Sequence, residues 1–172
     1  MSPISQFKRY VTRKDRPAAS ALDMALHALD AENEDNEHTL ASMSAVQYIA
    51  EFRTIRISMP RRTYKTVELW NFAEANPTTT LLVLGYTLHN IRYYRLEYPE
   101  MCIFQPNQLF HSQPGKMGDL VKVATLEVNS IQHILIDEPR MSDGAFDIFI
   151  QTLVDYNSID KKTVKIIMLG TS

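Results

Sequence analysis

The sequence predicts an α/β fold: a parallel sheet with helices on both faces, three layers in all, and an N-terminal helical segment. Three observations carry this. From residue 53 onward, short apolar runs alternate with segments of helical period, the order that gives a parallel sheet. The run from Thr79 to Gly85 shows little in-and-out alternation, as strands buried on both sides do. Three of the strand-like segments also end in polar or charged residues, where an open parallel sheet receives its ligands.

A chain of 172 residues is one domain's worth and long enough for a sizeable core. Its boundaries divide it into residues 1–52, a basic arm with two helices, and residues 53–172, the sheet-forming core. With 45% hydrophobic and 22% charged residues, the composition is that of a soluble globular protein. No apolar run reaches bilayer length, so no membrane partner is expected. One cysteine, Cys102, excludes an internal disulfide framework and a multi-cysteine zinc site. The start has no secretory signal, and the expected compartment is the cytoplasm. A net charge of −2 argues against a nucleic-acid binder that uses its whole surface, though not against a local basic patch.

Residues 8–16 form such a patch, with Lys8, Arg9, Arg13, Lys14 and Arg16 against Asp15 alone. It reads as a solvated terminus or as an arm that touches phosphates. Pro17 opens a helix, where its missing N–H costs least, and Leu22, Ala25, Leu26 and Leu29 recur on one face. An acidic run from Asp30 to Glu37 ends it. Thr39 is the expected cap of a second helix, with Leu40, Met43, Val46, Ile49 and Ala50 on one side. These two helices are expected to form a lid or an outer layer.

The core starts with the strand-like Arg53-Thr54-Ile55-Arg56-Ile57-Ser58. A helix carrying Val67, Leu69, Trp70, Phe72 and Ala73 ends before Pro77, and the buried strand 79–85 follows. A helix from His89 to Glu97 closes before Pro99, and Met101 to Phe104 is a short strand. Residues 106–118 are a long loop, and 120–128 a strand or hairpin arm. Residues 131–138 form a strand that ends in Asp137 and Glu138. Residues 143–156 are a helix, and 164–172 a last strand with a polar tip.

The chemistry gathers at the strand ends. Residues 59–66 read Met-Pro-Arg-Arg-Thr-Tyr-Lys-Thr, which fits the end of the phosphate-loop pattern G-x-x-x-x-G-K-[ST]. Met59 and Tyr64 stand where that pattern has glycine. A helix start attracts anions through its free N–H groups and dipole. Lys65 adds a point charge for phosphate oxygens, and the Thr66 hydroxyl is a ligand for Mg²⁺. Asp137 can hold the metal, directly or through water, and Glu138 can polarise an attacking water. Thr171, in the tip Gly170-Thr171-Ser172, is placed to sense a terminal phosphate.

Together these motifs resemble the ASCE division of P-loop NTPases, and more narrowly the ATPase domain of viral and phage large terminases and related helicase-like motors. Their loop often reads Pro-Arg-Arg, one variable residue, then Gly-Lys-Thr; here it is Pro60-Arg61-Arg62-Thr63-Tyr64-Lys65-Thr66. Their Walker B strand ends in Asp-Glu, as residues 134–138 do, and their coupling motif is similar to Leu169-Gly170-Thr171-Ser172. The likeness spans roughly residues 53–172. It implies a three-layer parallel sheet of P-loop NTPase type with a degenerate Walker A, and the Walker B and coupling strands near the loop strand. It also implies ATP and Mg²⁺ as cofactors, with Thr63, Tyr64, Lys65 and Thr66 around the phosphates. Glu138 would be the base, and Arg61 or Arg62 a finger on the γ-phosphate. Gln47 stands upstream of the loop strand, where related motors place an adenine-reading glutamine. The implied function is an ATPase module of a nucleic-acid motor, as in viral DNA packaging in a host cytoplasm, with DNA and other motor subunits or domains as partners.

The missing glycines keep a second reading open, that of a catalytically inactive P-loop-like scaffold that binds a protein or nucleic acid. The five histidines show no metal-ligand spacing, and His133, on a strand, is expected to be packed or exposed rather than catalytic. Tyr93 and Tyr94 beside Arg92 and Arg95 suit base stacking or an ordinary amphipathic helix.

Overall fold

The computed structural model describes residues 17–31, 42–61, 63–84, 88–104, 130–137 and 143–171. The basic arm, Thr39, Arg62, the 106–118 loop, the 120–128 segment, Glu138 and Ser172 lie outside them.

Helix α1 (Pro17–Ala31) starts at the proline, and α2 covers Ala45–Phe52. Then come β1 (Thr54–Met59), α3 (Lys65–Ala75), β2 (Thr80–Val83), α4 (Leu88–Glu97) and β3 (Cys102–Phe104). Strand β4 (His133–Asp137), α5 (Asp143–Asp155) and β5 (Lys165–Thr171) complete the order. Among the described residues the sheet has five strands in the order β1-β5-β4-β2-β3, and every pair is parallel. The last strand is thus inserted between β1 and β4, so the strand before the Lys-Thr loop and the one ending at Asp137 both border it.

The sheet is covered on both faces, which explains the near-continuous apolar runs. Leu82, Leu84, Leu135, Ile167 and Leu169 face a cluster completed by α1, α3 and α4. The alternate residues Leu81, Val83, Ile134, Ile136, Ile166 and Met168 face a second cluster, completed by α2 and α5. The two N-terminal helices are therefore an outer layer, one on each face. Trp70 of α3 anchors the first cluster, with its ring 5.1 Å from Tyr94 and 5.0 Å from Tyr98.

Helix α2 begins later than its sequence pattern suggested. Ser44, not Thr39, is the cap: its hydroxyl accepts from the Gln47 N–H at 3.2 Å, and the Gln47 amide oxygen accepts from the Ser44 N–H at 3.3 Å. This reciprocal pair satisfies two donors that a helix start leaves open.

Arg53, read as the first residue of a strand, is instead a fully buried tie. Its guanidinium donates to the carbonyls of Leu29 (2.6 Å), Val164 (2.8 Å) and Thr163 (3.3 Å). It joins the last turn of α1 to the approach of β5, and the five-donor fork of arginine suits three diverging acceptors.

Candidate functional site

The register places three chain segments along one edge of the sheet. Met59, the last residue of β1, pairs with Thr171 of β5, and Leu169 pairs with Asp137 at the end of β4. The loop after Met59 therefore leaves from the same carboxyl edge as Asp137 and the β5 tip.

That loop runs straight into α3, whose first residues are Lys65 and Thr66. Tyr64 is the N-cap, with φ 65° and ψ 31°, a left-handed conformation. It gives the helix no side-chain cap hydrogen bond; a phenol on that backbone is a poor substitute for the short side chains that cap well. The loop is tied internally instead. Pro60 O accepts from the Thr63 hydroxyl (3.0 Å) and from the Lys65 ammonium (3.4 Å). Thr63 O accepts from the Ala18 N–H of α1 at 3.1 Å. Thr63 and Lys65 are both buried.

The contact that joins the segments is between Thr66 and Asp137. The Thr66 hydroxyl donates to Asp137 Oδ2 at 2.5 Å, across 71 residues of chain. Asp137 is only 4% exposed, so this carboxylate is held inside the edge of the sheet. A hydroxyl and a carboxylate in contact beside a buried lysine form an oxygen pair suited to a hard divalent cation. Among the described residues, no group of three or more histidine, cysteine, aspartate or glutamate side chains gathers as a self-sufficient metal cage.

The remaining sequence candidates fall in different places. Arg61 is exposed in the loop, and Thr171 is exposed at the end of β5. Gln47 lies on α2, with its side-chain oxygen engaged in the capping box. Arg62 and Glu138 lie outside the described residues. Tyr93 is about half exposed, whereas Tyr94 is buried against Trp70, so the two tyrosines do not form a joint stacking face. His133 packs edge-on against Phe72, with ring centroids 4.8 Å apart. Burial, reinforced by the nearby Lys165 cation, holds its pKa down at about 4. It belongs to the scaffold.

Sequence reasoning passed over Glu68. It sits one turn into α3, is 1% exposed, and donates its N–H to Tyr64 O at 3.1 Å. A glutamate three residues after a lysine on a helix reads as a solvated surface pair, so nothing local marked it as buried.

The fold and this edge define an α/β protein with an all-parallel sheet and a Lys-Thr loop facing a strand-end carboxylate. Comparison with known protein families, curated proteins and solved structures finds no match.

Proposed function

We propose that the chain is a nucleotide-binding module of P-loop type, an ATPase-like part of a nucleic-acid motor. The observation that carries this reading is the Thr66–Asp137 hydrogen bond. It joins the end of a phosphate-loop pattern to the end of an Asp-Glu strand, the two places that must meet if both serve one metal-bound triphosphate. The strand order, with β5 between β1 and β4, supports it as well.

In this reading the Lys65 ammonium leaves Pro60 O for the β- and γ-phosphate oxygens, and the first-turn N–H groups of α3 receive the same anion. Thr66 and Asp137 would hold Mg²⁺, which takes few protein ligands and fills its shell with phosphate and water oxygens. A cation held by these two residues would supply charge neutralisation at the phosphoryl group. Glu138, the residue after Asp137, orients and polarises water. Arg61 or Arg62 reaches the γ-phosphate, and Thr171 reads its presence. DNA and further motor subunits are the partners this function calls for.

The test is calorimetric titration with a non-hydrolysable ATP analogue and Mg²⁺. Saturable binding that Lys65→Ala abolishes, with the far-UV spectrum unchanged, is the expected result. No binding at millimolar analogue would overturn it and leave the inactive scaffold as the reading. Binding that survives Lys65→Ala would place the nucleotide elsewhere.

A further inference from the structure

Met59 and Tyr64 occupy the two positions where the phosphate-loop pattern has glycine, and both side chains pack against one core cluster, the cluster that contains α1. Tyr64 does so from a left-handed backbone, a conformation that glycine enters freely and a β-carbon opposes. Something must therefore hold it there. Several contacts do so, among them the partly buried ring on the core, the Ala18 N–H on the preceding carbonyl Thr63 O, and the Thr63 hydroxyl on Pro60 O. Each fixes the loop from outside or across its own turn. None depends on a ligand.

We propose that Tyr64 is a positioning residue for the anion site. Its packed ring, braced by α1, takes over the task of glycine, holding the left-handed turn that aims the first turn of α3 at a polyphosphate. The ligand class rests on the nucleotide reading above; the anchoring of the loop does not. A turn anchored in this way at Thr63 and Tyr64 needs little ordering on binding. A glycine at this position allows close approach of the backbone, whereas the tyrosine holds the turn.

The Glu68 amide, hydrogen-bonded to Tyr64 O, reports on the turn directly. Its hydrogen exchange is followed by NMR in ligand-free protein, with the Phe149 amide in α5 as the reference for global stability. Tyr64→Phe keeps the ring and is expected to leave Glu68 protection within threefold of the wild type. Tyr64→Ala loses the ring and keeps the strained backbone; protection at Glu68 is expected to fall at least tenfold more than at Phe149. Tyr64→Gly loses the ring and relieves the strain, falls between the two, and serves as the test if the alanine variant fails to fold. Affinity for the Mg²⁺-bound ATP analogue follows the same order. Glycine or alanine matching the wild type at Glu68, or a loss that is equal at Glu68 and Phe149, would overturn the anchoring role. Absence of analogue binding in the wild type would count against the nucleotide reading alone, because the exchange experiment still decides the anchoring.

Discussion

At the scale of single residues, the side chains that matter most are polar groups held inside the protein. Thr66 and Asp137 bridge α3 to β4, and a hydrogen bond to a charged group contributes about 1.5–3 kcal/mol. Thr66→Val keeps the shape and removes the donor, so urea unfolding should show a loss of about 2 kcal/mol even without ligand. Arg53 is held more firmly, by three carbonyl acceptors. Arg53→Ala strands them in the interior and should cost at least about 3 kcal/mol. Arg53→Lys should recover little of that, since an ammonium cannot span the diverging acceptors. His133 gives the chain a pH response. Its pKa is about 4 in the folded protein against about 6.5 unfolded, so between those values the unfolded state binds more protons. Its contribution is complete above roughly pH 6.5 and is lost as pH falls towards 4. Asp30, whose pKa is lowered chiefly by its hydrogen bond with Lys165, weakens the fold only below that window. Urea titrations from pH 4 to 7 should therefore slope for the wild type and flatten for His133→Phe.

At the scale of elements, periodicity and punctuation set most of what was legible. Proline at 17 and 99, and the buried run 79–85, placed helix and strand ends within a residue or two of those observed. The start of α2 was harder to see. Both Thr39 and Ser44 precede an apolar helical run, and only the reciprocal pairing with Gln47 selects Ser44. Removing that cap with Ser44→Ala should cost about 1 kcal/mol, read as a lower urea midpoint with an unchanged slope. Gln47→Glu preserves an acceptor for the Ser44 N–H and should leave stability nearly unchanged. The same substitution separates capping from adenine recognition: an ATP analogue that binds Gln47→Glu as well as wild type leaves Gln47 a structural residue. The left-handed turn at Tyr64 was not legible either, because the pattern that demands it normally carries glycine there. Its evidence lies in the packing of the ring on a core cluster and in the Ala18 N–H that reaches the preceding carbonyl from far upstream.

At the scale of the whole molecule, the sequence order of strands was enough to expect a parallel sheet and to bring Lys65, Thr66 and Asp137 to one edge. Buried contacts also cross the boundary drawn at residue 52. Leu22 and Leu29 of α1 are buried in the cluster that supports α3, and Ile49 of α2 is buried in the opposite one. Arg53 at the head of the core donates back to Leu29 O. Each of those three apolar side chains contributes about 1.5–3 kcal/mol by leaving water, so together they approach the roughly 5–15 kcal/mol by which a typical domain is stable. The segment 53–172 expressed alone should therefore lack a cooperative urea transition and bind a hydrophobic dye, while the full chain unfolds in one step. Adding back residues 17–52 should restore the transition. A cooperative, dye-silent 53–172 fragment would show instead that the sheet and its remaining helices close a core by themselves, and that α1 is an appendage rather than the brace on which the loop depends.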